Sequence, residues 1–195
     1  MCSNTAAVVS MAENQLCLSV LILVLVTFPK GLFTCGIGNC WRLDIRSFVS
    51  TTQRIWTYNT SASGYVRCKV DQARNMCNTS ISFRRMYFYD QQHHWIARNL
   101  EGYFSKQQKD VMNVRNQGRV FIAKEKILYM SWRYRCAVMK VAQEHFGWET
   151  YYDLRIWDSW VKQGPHAKCV QQFAKYTHKG KVIYGPLCDN ILHIK

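Results

Sequence analysis

Apolar and polar residues alternate through most of the chain beyond residue 50, the period-two mark of strands with one buried face. The clearest stretch is Tyr151 to Trp157, where Tyr151, Asp153, Arg155 and Trp157 fall on one face and Tyr152, Leu154 and Ile156 on the other. An apolar run, Cys136 to Ala142, precedes it across a turn-like patch containing His145 and Gly147. Upstream, Gln53–Asn59 sets Arg54, Trp56 and Tyr58 on one side. Tyr65–Asp71 sets Val66, Cys68 and Val70 opposite Tyr65, Arg67 and Lys69. Ser80–Tyr89 is β-branched and aromatic, with Phe83, Arg85, Tyr87 and Tyr89 sharing a face. Shorter strands are predicted at Trp95–Asn99, Gly102–Gln107, Val111–Arg115 and Val120–Ala123, and a stronger one at Glu125–Trp132. A final short strand is predicted at Lys181–Tyr184.

Helical periodicity is scarce. Trp41–Val49 predicts one or two turns. Pro165–Thr177 predicts a helix with Cys169, Val170, Phe173, Ala174 and Thr177 on one side, Pro at its first position and Gly180 beyond its end. Many short strands separated by turn signals point to an all-β fold, an antiparallel sandwich or a closed barrel. Closure removes exposed edges, and eight strands leave room for one small ligand.

The N-terminus modifies this picture. Leu16 to Phe28 is apolar and uncharged, the length of a signal-peptide core rather than of a membrane span. Residues 1–36 are therefore expected to be a cleaved signal peptide, with 37–195 as the barrel domain of a secreted, extracellular protein. Stable membrane insertion is not expected. Of nine cysteines, removing Cys2, Cys17 and Cys35 leaves six, an even set suited to an oxidising compartment. Their connectivity is not deducible from spacing. Asn59-Thr60-Ser61 and Asn78-Thr79-Ser80 are glycosylation triplets that suit secretion.

The formal net charge of +14 favours anionic partners: nucleic acid, sulfated glycans, acidic membrane surfaces or acidic ligands. The bases are scattered without a long tract, so a solvated surface is the plain reading and nucleic acid is not expected. No C-x-x-C pair or spaced histidine pair supplies a metal site, and adjacent His93-His94 is poor ligand geometry. No nucleophile elbow, H-E-x-x-H or phosphate-cradling loop occurs, and no cofactor is expected. The protein reads as a binder, not an enzyme, and as a monomer.

Four blocks carry a closer match: YVRCKVD, KILYMSWRYRCAVMKV, YYDLRIWDSWVKQGPHAKCVQQF and GKVIYGPLC. In order and spacing they resemble the tick salivary lipocalins of the histamine-binding group, over roughly Leu43 to Ile191. The resemblance implies an eight-stranded antiparallel lipocalin-type barrel with a short N-terminal helix and one C-terminal α-helix. It implies bridges Cys68–Cys188 and Cys136–Cys169, leaving Cys40 and Cys77 to pair or stay free. It also implies release into a host during feeding, to sequester an inflammatory mediator.

Members that hold biogenic amines share a pattern of Cys-Asp-aliphatic followed by Glu-Leu-aromatic. Here the first block reads Cys136-Ala137-Val138 and the second Asp153-Leu154-Arg155. The aspartate is lost, the glutamate shortened and the aromatic replaced by arginine. On the family topology Asp153 and Arg155 both point into the barrel and pair. An arginine there repels an ammonium ligand and suits a carboxylate. The expected ligand is thus an acidic amphipath (fatty acid or eicosanoid) in preference to histamine or serotonin. Tyr87, Tyr89, Tyr151, Trp157 and Trp56 are expected to complete the wall around Asp153 and Arg155. The alternative is a basic barrel with no lumen ligand that binds heparin-like glycans, or clotting or complement proteins.

Overall fold

The computed structural model describes residues 43–118, 120–144 and 148–193. The expected signal segment and Cys40 lie outside them. The chain first forms a helix, α1 (Ile45–Val49), capped by the Asp44 carboxylate, which accepts from the Arg46 backbone N–H at 3.0 Å. Eight strands follow: β1 (Ile55–Thr60), β2 (Val66–Met76), β3 (Ser80–Tyr89), β4 (His94–Phe104), β5 (Val111–Asn116), β6 (Phe121–Ser131), β7 (Cys136–Glu144) and β8 (Trp148–Trp157). Each pairs antiparallel with the next, and β1 pairs with both β8 and β2, so the sheet closes on itself. A two-residue strand, β9 (Lys181–Val182), pairs antiparallel with Asn59 and Thr60 of β1. Between β8 and β9 lie a single turn, α2 (Asp158–Val161), and α3 (Ala167–Ala174). A 3-10 segment, Pro186–His193, follows. No helix among the described residues is long and apolar enough to cross a membrane.

Several predicted boundaries move, and three of the shifts have a local cause. Trp95–Asn99 and Gly102–Gln107 are parts of one strand, β4. Gly102 reads as a breaker but serves close packing, because a β-carbon there would lie 2.3 Å from Met112 Sδ and 3.1 Å from Ile81. Val120–Ala123 and Glu125–Trp132 likewise merge into β6, with Lys124 facing outward between them. The last helix begins at Ala167 rather than Pro165, since Gly164 takes φ +78° and His166 is extended, its Nδ1 accepting from the Lys168 N–H. It ends at Ala174, three residues early. Only Cys169 and Phe173 of the expected apolar side are buried, because one short helix covers little of the barrel.

The core has two layers. Inside the barrel, the end plugged by α1 is filled by Ile45, Phe48, Ile55, Met112, Ile127, Met139 and Trp157. Outside, Trp56, Val70, Val138, Leu154 and Ile156 are covered by α3 and the C-terminal segment. The two implied disulfides fasten that cover. Cys68–Cys188 joins residues 120 apart and Cys136–Cys169 joins residues 33 apart. On chain-entropy grounds each stabilises by about 3–5 kcal/mol. Cys77 is exposed and unbridged among the described residues, and hydrogen bonds from Ser80 and Thr79 draw its thiol down to about 6.

One backbone feature decides what faces inward. Cys68 takes φ +53°, and the β2–β3 register slips between Arg67 and Val70. Strict alternation would keep Val66, Cys68 and Val70 together. The bulge instead leaves Val66 on the inside while sending Cys68 and Val70 out, so that Lys69 and Asp71 turn into the barrel.

Candidate functional site

At the end opposite α1 the barrel holds a cavity of about 440 Å³, within the range that encloses a small organic ligand. Its mouth is at Gly64 and Gln92, on the β1–β2 and β3–β4 connections, and at Glu149 near the start of β8. The walls are Tyr87, Tyr89, Ile96, Leu100, Ile122 and Tyr151. Its ionisable floor is Lys69 and Arg85, and Arg98 and Glu149 are the other charged residues of the lining.

Lys69 and Arg85 belong to a buried network of three bases and three acids that continues below them, contributed by β2, β3, β6 and β8. Arg85 donates to both Asp71 oxygens at 2.7 Å and to Glu125 Oε1 at 2.8 Å. Arg155 grips Glu125 with two donors, at 2.7 and 3.1 Å, and reaches Asp153 Oδ2 at 3.1 Å. Asp153 Oδ2 also accepts from Lys69 Nζ at 3.0 Å, and its Oδ1 accepts from the Thr60 hydroxyl at 2.7 Å. Lys69 Nζ stands 5.4 Å from the centre of the Tyr151 ring, and the Tyr151 hydroxyl donates to Gln143 at 2.8 Å. The six charges sum to zero, which is what makes their burial tolerable.

The ionisation states follow from that arrangement. Burial by itself would push Glu125 up, but the charges of Arg155 and Arg85 outweigh it and hold the carboxyl below its ordinary value. Burial is likewise outweighed at Asp153 by Lys69 and Arg155, so it too is lowered. At Lys69 burial wins over the attraction of Asp153, and the ammonium is lowered. Burial, then the nearby Asp153 charge, pushes Tyr151 up, so it stays a neutral hydrogen-bond donor.

Against the sequence-based set, Tyr87, Tyr89 and Tyr151 do line the cavity. Asp153 and Arg155 point inward and pair, but they lie below the floor with their bonding capacity used by Glu125, Lys69 and Thr60. Arg155 is therefore not placed to grip a ligand carboxylate, because Glu125 as well as Asp153 holds it. Trp157 sits at the plugged end against Phe48 and Trp132, with ring centres 6.0 and 5.6 Å away. Trp56 is on the other side of the sheet altogether, edge-on to Tyr184, its indole N–H donating to Asp158. Alternation grouped Trp56 with Tyr58 correctly but could not say which side of the sheet that face would become.

Lys69, Asp71 and Glu125 were missed, and Arg85 was placed on the right face without a role. The signal available was a charge in phase with apolar inward residues. Glu125 alternates with Ala123 and Ile127, and Arg85 with Phe83 and Tyr87. Among the described residues no three His, Cys, Asp or Glu side chains cluster as metal ligands.

The glycosylation triplets separate by environment. Asn78 is exposed in the β2–β3 turn. Asn59 is within β1, its Oδ1 buried; a β-carbon on Gly180 would come within 2.6 Å of that oxygen and of Phe173. A sugar on Asn59 would compete for the space that Gly180 and Phe173 occupy. Expression in glycosylating cells is expected to give one occupied triplet. Asn78→Gln should abolish the mobility shift on glycosidase treatment, and Asn59→Gln should leave it unchanged.

The chain matches no protein-family model and no curated protein sequence. Solved structures do match. Lobster apocrustacyanin A1 superposes with a TM-score of 0.54 at 11% identity, covering 73% of this chain and 83% of that one. Japanin from the tick Rhipicephalus appendiculatus, bound to cholesterol, gives 0.51 at 11% identity over 68% and 92% of the two chains. The cockroach allergen Per a 4 gives 0.55 at 11% identity over 80% and 98%. At such identities the likeness establishes the fold, and the fold is that of the lipocalins.

Proposed function

We propose that this lipocalin-fold chain encloses a small acidic amphipath, such as a fatty acid or an oxidised derivative, taken up carboxylate first. The observation that carries this reading is the polarity of the cavity floor. The groups that line it are Lys69 and Arg85, whereas Asp153 and Glu125 lie behind them, fully buried and already bonded. A ligand carboxylate descending between Tyr87, Tyr89 and Tyr151 meets an ammonium and a guanidinium, and its chain lies on Ile96, Leu100 and Ile122. An ammonium ligand descending the same way meets two cations. The Asp153 oxygens that it would need are held by Thr60, Lys69 and Arg155.

Further support comes from Japanin, a neighbour in fold that is itself bound to cholesterol, a small hydrophobic molecule. Two disulfides suit an oxidising compartment, and with the apolar segment Leu16–Phe28 they favour secretion. With the resemblance to the salivary group, the reading becomes a secreted scavenger that binds rather than catalyses and withdraws a host lipid mediator.

Titration calorimetry tests it with four probes: a long-chain fatty acid, the matching alcohol, histamine and serotonin. The acid should bind most tightly, and the alcohol detectably but more weakly. Tight histamine binding that disappears in Asp153→Ala would overturn the assignment in favour of an amine.

A further inference from the structure

The plugged end of the barrel carries a feature that a lumen ligand never reaches. The β6–β7 hairpin tip reads Trp132-Arg133-Tyr134-Arg135, two aromatics interleaved with two arginines. Each guanidinium is laid over a ring. Arg133 is 5.6 Å from the centre of Tyr134, and Arg135 is 4.9 Å from that of Trp157. The rings are fixed in turn, since Tyr134 stacks flat on His166 at 3.6 Å and Trp132 meets Trp157 edge-on. Stacking immobilises a guanidinium but leaves the N–H donors around its rim available. No carboxylate among the described residues pairs with Arg133 or Arg135.

A third arginine joins them through the backbone. The Trp157 N–H donates to the Arg135 carbonyl and the Asp158 N–H to the Arg54 carbonyl, so Arg54 and Arg135 flank the end of β8 from opposite sides. Strand spacing puts their backbones about 10 Å apart. The nearby acid, Asp158, is shared between Arg54 at 3.6 Å and the Trp56 indole, leaving a local excess of two positive charges. Arg135 holds φ +49°, a left-handed conformation that a non-glycine residue adopts at a cost of about 1 kcal/mol and that is retained mostly where it positions something.

We propose that this end of the barrel is a second binding surface, independent of the cavity, for a linear sulfated glycan. Sulfate groups along such a chain accept from the rims of Arg133, Arg135 and Arg54 in turn, and the +14 field of the whole molecule draws the polyanion in. A membrane surface is the poorer partner. Insertion into lipid calls for a protruding apolar wedge, and Trp132, at 47% exposure, is the one large apolar side chain that protrudes from the tip.

The test measures binding of a heparin-derived oligosaccharide to the full-length secreted protein over a series of salt concentrations. Two double variants that lose equal charge are compared, Arg133→Ser with Arg135→Asn, and Lys124→Ser with Lys140→Ser on the barrel wall. Asparagine is chosen because it tolerates the left-handed backbone. The slope of log affinity against log salt should fall by about two in the hairpin variant, one per arginine, and by less than one in the wall variant. Unchanged thermal unfolding of the hairpin variant shows that its fold is intact, whatever occupies the lumen. Equal losses in both variants, or no retention by the parent protein beyond that on a plain cation exchanger, would overturn the site. So would binding to phosphatidylserine/phosphatidylcholine vesicles that needs Trp132 while the oligosaccharide is ignored.

Discussion

Glu125→Gln should unfold some 10 °C or more below the parent protein, the equivalent of roughly 3–5 kcal/mol for breaking a buried ion pair from one side. The substitution keeps the shape of the side chain and removes one negative charge from a network that sums to zero. Arg85 and Arg155 both lean on Glu125, through Oε1 and through both oxygens respectively, so both buried guanidinium groups are left under-compensated. Glu149→Gln, at the cavity mouth, should shift stability by no more than about 0.5 kcal/mol. Thermal melts followed by circular dichroism compare the two. A Glu125→Gln protein as stable as the Glu149→Gln control would mean that the network is not buried as described.

The same network fixes the sign of the pH dependence. Glu125 and Asp153 have folded-state values below their unfolded ones, so each adds stability that is fully present above the ordinary carboxylate range. That stability drains away as pH falls below about 4 and through the lowered folded values. The parent protein should therefore lose stability on acidification, and Glu125→Gln should lose less over the same window because one of the two carboxylates no longer titrates. A steeper acid loss in the variant would contradict the assignment.

Lys69→Met should weaken fatty-acid binding by about ten- to a hundredfold while leaving the matching alcohol within a factor of about two. The loss corresponds to one charge-assisted hydrogen bond, about 1.5–3 kcal/mol. Methionine has a similar length and puts an apolar end group where the ammonium faced the Tyr151 ring, so the volume of the floor is nearly conserved. Asp153 retains Thr60 and Arg155, which limits the damage to the network. The alcohol is the internal control, because it fills the same cavity without asking for a cation. If acid and alcohol weaken together, Lys69 acts only through the shape of the floor. If neither changes, the acid sits elsewhere.

Which parts of this were legible beforehand follows from how far apart the relevant residues are in the chain. Tyr87 and Tyr89 are two residues apart on one strand, so alternation alone put them on a common face with Arg85, and all three line the cavity. Asp153 and Arg155 are similarly local, and their mutual pairing followed from i and i+2 geometry once the inward face was assumed. Their real partners are remote. Glu125 is 30 residues from Arg155 and Lys69 is 84 from Asp153, and nothing within one strand announces which charge will oppose which. That single difference turned the expected ligand-gripping arginine into a support for the floor, and left Lys69 and Arg85 as cations that line the cavity.

By itself the sequence determined where most of the strands lie, which residues share a face wherever alternation is unbroken, and a pattern consistent with closure, because side-chain periodicity is a property of neighbouring residues. Tertiary structure decided which face is inside, because that depends on how eight strands register around a closed ring. At Cys68 a single bulged residue turned Lys69 and Asp71 inward, and at Trp56 the cover of Tyr184 and the C-terminal segment made an aromatic part of the outer layer. Charge neutrality in the barrel floor is likewise a property of the assembled ring, since its six members come from four strands and meet only when the sheet closes.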